Sequence, residues 1–298
     1  MKKYFMGRRV KLPMNGGFAA VLVLCCLSAC VDEPLFDTDH PNHGKITLIT
    51  DWADRPEGTN IPGNYAVTMG DYAATLPGNS TDARLCIAAV DHLFAPGAYR
   101  LKVYNPADNI TVNGTTANIA VTDGFATPLP GWFFTSTQDV TIESDHNYDI
   151  TAVMQQQVRQ LTFVIQPTGG AFDRITGVDA TLTGIASQLN IDNGEATGYA
   201  VNVKPVFTRE NDGKYHATIR LIGVLGTTQT LTVTFNFRNG SPANLVVTAD
   251  LTTQLENFNT DKKTPLILAT QIVETQTTAT FSAVISEWDD NEGEIIAI

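Results

Sequence analysis

The chain has 298 residues, 43% of them hydrophobic, so a sizeable core can form and global disorder is excluded. The first 29 residues hold five of the 19 basic side chains and no acidic one, which leaves 14 basic against 31 acidic side chains beyond them, a net of −17. Such a surface repels nucleic acid and anionic lipid headgroups, so neither a nucleic-acid partner nor a charge-driven membrane contact is expected.

The first element is a leader, residues 1–29. Lys2, Lys3, Arg8, Arg9 and Lys11 precede an apolar run from Phe18 to Leu27, followed by the small residues Ser28 and Ala29. A basic region, a short apolar core and small residues before a cut site make a secretory signal. The run is too short for a membrane span, which needs about 20 apolar residues. Leu27-Ser28-Ala29-Cys30 also resembles the bacterial lipobox, which implies that Cys30 becomes the lipidated first residue of the mature chain. Cys25 and Cys26 lie in the part to be discarded. Cys86 is then the remaining cysteine of the mature chain, so no internal disulfide can form. Its setting, Leu85-Cys86-Ile87-Ala88-Ala89-Val90, predicts a buried, inert thiol.

Residues 30–43 are predicted to be an acidic, lipidated tether. Asp32, Glu33, Asp37 and Asp39 mix with Pro34 and Pro41, and no hydrophobic period runs through them. The acidic residues behind Cys30 resemble the surface-export signal of Bacteroidetes lipoproteins; a solvated spacer is the alternative. His40 and His43 do not make a metal site, because Pro41 prevents the helix that would let them share an ion.

The rest alternates with a period of two. Tyr99, Leu101 and Val103 alternate with Arg100, Lys102 and Tyr104. Tyr215, Ala217, Ile219 and Leu221 alternate with His216, Thr218 and Arg220, and Leu231, Val233, Phe235 and Phe237 with Thr232, Thr234 and Asn236. Strands that bury one face read this way. Asn113-Gly114, Asp212-Gly213 and Asn239-Gly240 supply the positive backbone angles of tight turns, and Pro96-Gly97 precedes the Tyr99 strand. The pattern predicts an all-β chain of antiparallel sandwiches. One short helix is predicted after the N-cap Asp250, with Leu251, Leu255 and Phe258 on one face. A second helix or turn is expected from Asp82 to Phe94. A boundary is expected at Gln155-Gln156-Gln157, giving an N-terminal sandwich over 44–156 and a C-terminal one over 157–298. Leu161-Thr162-Phe163-Val164 after it echoes Ile46-Thr47-Leu48-Ile49.

No sequence pattern supports catalysis. There is no Gly-x-Ser-x-Gly, no His-Glu-x-x-His and no phosphate-cradling glycine loop. The cluster Asp289-Asp290-Asn291-Glu292-Gly293-Glu294 lacks the spaced ligands of a calcium loop and reads as a solvated turn. No metal, cofactor or catalytic residue is assigned. Trp52 and Trp288 read as core, while Trp132, beside glycine and proline, is the candidate for stacking on a glycan.

The lipobox, the acidic tether and Gly44-Lys45-Ile46-Thr47-Leu48-Ile49-Thr50-Asp51-Trp52, taken in order, resemble the Bacteroidetes fimbrillin superfamily, and within it the FimB- and Mfa-type lipidated anchor or accessory subunits. Leu93-Phe94-Ala95-Pro96-Gly97-Ala98-Tyr99-Arg100, Val158-Arg159-Gln160-Leu161-Thr162 and Ile285-Ser286-Glu287-Trp288 continue the resemblance. It implies two tandem transthyretin-like (Ig-like) sandwiches, a lipid anchor in the outer membrane, and other fimbrial subunits as partners, with a glycan or host ligand as a further candidate. It also implies assembly by strand complementation. The strand-exchange candidates are Ile46 and Leu48 in the first strand, or Ile295, Ile296 and Ile298 at the tail; a frayed terminus is the alternative for the tail. No basic site for proteolytic maturation of an early strand stands out, which favours an anchor or accessory role over a shaft subunit. The rival function is a surface glycan-binding lipoprotein of a polysaccharide-uptake system.

Overall fold

The computed structural model describes residues 36–78, 84–168, 172–238, 244–277 and 280–285. The strands up to Gln156 are β1 (Gly44–Asp51), β2 (Asn64–Met69), β3 (Tyr72–Pro77), β4 (Leu85–Phe94), β5 (Gly97–Tyr104), β6 (Ile110–Asn113), β7 (Thr116–Ile119), β8 (Val121–Thr122), β9 (Phe125–Ala126), β10 (Phe134–Ile142), β11 (His146–Val153) and β12 (Gln155–Gln156). Those that follow are β13 (Arg159–Pro167), β14 (Ile175–Asn190), β15 (Ala196–Val203), β16 (Thr208–Arg209), β17 (Tyr215–Leu221), β18 (Thr230–Phe237), β19 (Leu245–Asp250), β20 (Leu266–Thr277) and β21 (Thr280–Ile285).

Two hydrophobic cores form, each between two sheets. The first lies between the three-stranded sheet β11-β1-β4 and the five-stranded sheet β12-β10-β5-β2-β3. The second lies between the five-stranded sheet β16-β17-β13-β20-β21 and an eight-stranded sheet that runs β19-β18-β14-β15-β9-β8, with β7 also paired to β14 and β6 to β7. The period-two alternation is realised side chain by side chain: Leu231, Val233, Phe235 and Phe237 are buried while Thr232, Thr234 and Asn236 are not. Each large apolar side chain withdrawn from water in this way contributes about 1.5–3 kcal/mol.

The echo between the two opening strands is topological. β1 pairs parallel with β11 and antiparallel with β4. β13 pairs parallel with β20 and antiparallel with β17. The segment β6–β9 joins the eight-stranded sheet, β7 through β14 and β9 through β15. The longest strand, β14, carries Gly184 at φ +76°, where a Cβ would come within 2.7 Å of the Thr228 carbonyl. Only glycine fits there, and the register with β15 shifts between Leu182 and Ile185.

Neither predicted helix is present among the described residues. The apolar period after Asp250 is real, since Leu251, Leu255 and Phe258 are all buried. The backbone over Thr252–Thr260, however, is a run of turns with mixed spacing: Leu255 N–H bonds the Leu251 carbonyl at 3.0 Å, whereas Phe258 N–H bonds Leu255 at 3.0 Å. Side chains compete with the ladder. Asn259 accepts from Val224 N–H and donates to the Val224 carbonyl, both at 2.8 Å, which ties the segment to a neighbouring loop. Residues 85–94 form β4. Cys86, Val90 and Phe94 are buried there four apart, a spacing that suits one face of a strand as well as a helix. The backbone demand of β1 decides for the strand.

Candidate functional site

The site with the most constructed surroundings is the seat of β1. Ile46 is 2% exposed and Leu48 fully buried, both pointing into the first core. The strand is hydrogen-bonded along both edges. Its first residue must be small, because a Cβ on Gly44 would meet Ile142 Cγ2 at 2.4 Å. β1 therefore fills a slot between β11 and β4, and a chain missing it would expose an apolar groove and two open sheet edges.

Both ends of β1 are latched. At the entry, Asp145 lies in the turn between β10 and β11 at φ +57°, a conformation that aspartate tolerates. Its carboxylate accepts from Asp37 N–H at 2.7 Å, Thr38 N–H at 2.8 Å and the Thr38 hydroxyl at 2.6 Å. The His40 ring, 6% exposed, sits with Nδ1 at 2.9 Å from the His43 carbonyl and Nε2 at 3.0 Å from Asn147 Oδ1. Two oxygens facing two ring nitrogens suit the imidazolium, which donates twice. At the exit, Arg84 donates twice to Asp51, at 2.8 and 2.7 Å, and Met154 N–H bonds the Asp51 carbonyl. Trp52 follows, fully buried, with Nε1 donating to Thr50 Oγ1 at 2.9 Å and its ring edge-on to Phe134 at 5.6 Å.

These contacts set a pH window. The Thr38 hydroxyl, then the Asp37 amide, hold Asp145 below the ordinary carboxylate range, and Arg84 does the same for Asp51. The His43 carbonyl, opposed by burial and helped by Asn147, raises His40 above its ordinary value. A lowered folded carboxylate pKa stabilises above the unfolded value of about 3.9 and is lost as pH falls through the folded one. A raised histidine pKa stabilises below about 6.5 and is lost as pH rises through the folded value. The entry latch is thus tightest between about pH 4 and 6.5. Amide exchange at Thr38, corrected for its intrinsic rate, is expected to be slowest in that window and faster at pH 3 and pH 8. A flat profile would show that the latch does not respond to these groups.

The other sequence candidates are not drawn together. Cys30, Ile295, Ile296, Ile298 and Trp288 lie outside the described residues. Cys86, the second residue of β4, is fully buried. Trp132 is half-buried against both cores, and the Arg220 guanidinium covers its ring at 5.7 Å from the centroid. Among the described residues, no three metal-ligating side chains converge.

The glutamines at the expected boundary tie the two cores. Gln156 Nε2 donates to the Lys262 carbonyl at 2.6 Å. Gln157 donates to Thr135 Oγ1 and accepts from Lys262 Nζ, each at 2.9 Å. Lys262 also donates to the Gly194 carbonyl, and burial pulls its pKa down to about 8. The Lys263–Asp54 ion pair, at 2.7 Å, spans the same junction. Beside it opens a cleft of about 220 Å³ lined by polar side chains such as Thr137, Gln138 and Asn193, with no aromatic ring among its walls. Neither Asp145 nor Lys262 could be singled out from sequence, because each acts on partners about 70 to 108 positions away.

Solved structures share the fold. The fimbrial anchor protein Mfa2 from Porphyromonas gingivalis is similar at 12% identity and a TM-score of 0.56, over 81% of this chain and 95% of that one. Two candidate adhesins from Bacteroides ovatus are similar too. One has 10% identity and a TM-score of 0.58 over 84% and 96% of the two chains. The other has 15% identity and 0.55 over 79% and 90%. Comparison with curated proteins gives no match. The family model of the fimbrillin-A associated anchor proteins Mfa1 and Mfa2 matches residues 95–290, about two thirds of the sequence, and the chain belongs to that family.

Proposed function

We propose that this protein is a lipid-anchored fimbrial subunit, an anchor or accessory, held at the outer membrane through Cys30 and engaging other fimbrial subunits by strand complementation. The observation that carries the reading is the family match over residues 95–290. The leader and lipobox support the anchor. The division into sandwiches over 44–156 and 157–298 is part of the proposal, with β6–β9 of the first stretch crossing into the sheet of the second. The slot filled by β1 supports complementation, because a strand that closes two edges at once is the kind of element a partner's strand can replace. The latches at both of its ends favour a subunit that keeps its own first strand, which suits an anchor more than a polymerising shaft.

The chain, recovered in detergent from outer membranes of its native host, is expected to bring fimbrial subunits with it. Recovery of the chain alone, with shaft subunits present in the same membranes, would overturn the reading. Removing residues 294–298 tests the tail: unchanged recovery of partners would assign the exchange to another strand.

A further inference from the structure

Among the described residues, one edge of β14 is covered along only half of its length. On one side it pairs with β18 from Ile175 to Leu182. On the other it pairs with β15 only from Leu182 to Leu189. Among the described residues no strand covers that second edge over 175–181. β15 does not extend to cover it, since the chain leaves at Lys204-Pro205-Val206 and Pro205 has no N–H to donate. Every second residue of the stretch points its N–H and C=O to the open side.

Beside this edge runs a groove of about 650 Å³, floored by Asp179, Thr181, Thr232 and Thr234 and walled by Lys204 to Val206. Exposed apolar side chains stand in its wall and on the neighbouring strand. Val206 is 74% exposed, and Val246 of β19, the register partner of Thr234, is 59% exposed. Lys204 rests over the Phe125 ring at 4.5 Å and makes no ion pair with a carboxylate among the described residues. An open ladder, exposed apolar side chains and an available cation together fit an extended segment with carboxylates followed by apolar residues. Glu292-Gly293-Glu294-Ile295-Ile296-Ala297-Ile298 has that order.

We propose that the open edge of β14 is the seat of this C-terminal segment in the single subunit. Reach allows it. The described chain ends at Ile285 on β21, which packs along β19. From β21 past β19 and β18 to the open edge of β14 is four strand spacings, about 19 Å. The six residues 286–291 span up to about 20 Å. The outward threonines of β18 lie under that path. The inference rests on the tail being an assembly strand, and adds where that strand lies before a partner takes it.

Hydrogen–deuterium exchange on the full chain and on a chain ending at residue 291 tests the seat. Amides of 175–181 facing the open edge are expected to be protected in the full chain and to exchange at least tenfold faster in the truncated one. Amides of Leu231–Phe235 serve as the folding control and stay unchanged. A synthetic peptide of residues 290–298 is expected to restore protection to the truncated chain, and to restore it less in Lys204→Glu. Fast exchange in both chains, equal protection in both, or no rescue by the peptide would overturn the seat. Protection that falls on dilution would assign the segment to a neighbouring copy and overturn a seat within one subunit. Partner recovery from membranes is a separate readout, so failure of the seat is distinguishable from failure of the anchor reading.

Discussion

With Cys30 replaced by serine, the protein is expected to lose its acyl mass and to fall at least about tenfold in the outer-membrane fraction. Charge cannot hold it there, because the chain beyond residue 29 carries a net of −17. Acyl chains can, since each buried methylene contributes about 0.8 kcal/mol, and two chains anchor stably where one does so only marginally. Serine keeps the size of the side chain but offers no thiol to acylate. Intact mass spectrometry of the wild-type protein checks the first step: the mature chain should weigh more than residues 30–298 by its acyl groups. A serine variant that stays in the outer membrane at wild-type levels would remove lipid from the account of anchoring, whatever the fold does.

Trp52→Ala is expected to destabilise the first sandwich by about 3–5 kcal/mol, the usual cost of truncating a fully buried large aromatic. Three contributions add. The indole is fully buried, its ring meets Phe134 edge-on at 5.6 Å, and its N–H satisfies Thr50 Oγ1 at 2.9 Å. Trp52 immediately follows β1 and closes its exit beside the Asp51–Arg84 pair. The cost therefore falls on β1 and the core it closes, and β1 amides should lose protection before those of β13. Urea unfolding followed by β1 exchange measures both. A loss under about 1 kcal/mol would mean that the cavity collapses, and that Trp52 does not secure the strand.

Much of the second core was legible because alternation is a local property. Leu231 to Phe237 and Tyr215 to Leu221 bury the faces that their period assigns. The glycine turns follow for the same reason, with Gly114 at φ +63° between β6 and β7 and Gly213 at φ +82° before β17. Residues 85–94 misled because a spacing of four fits either period, and 251–260 because side-chain bonds competed with the helical ladder; in both the deciding term was non-local. β4 answers the open edge of β1, and Asn259 answers Val224. Exposure alternates along β6 and β7 as well, yet nothing in that says which sheet they join.

The candidate site divides along the same line. Ile46 and Leu48 stand out in the sequence as first-strand positions, and their burial follows from their spacing of two. The latches were not visible. Asp145 is one aspartate among many in an acidic chain until the β10–β11 turn places it against Asp37 and Thr38. Gln156 and Gln157 look like a polar linker until Lys262, more than a hundred residues on, is buried against them.

What acts within a few residues was legible in the chain's own order: the acidity, the all-β class, the inward faces and several turns. The assembled fold alone decided which edges meet, which aspartates close on β1 and which length of β14 no described strand covers. The physical reason is that a strand satisfies its side chains by its own alternation but its backbone only through a partner, and that partner is chosen by the assembled sheet.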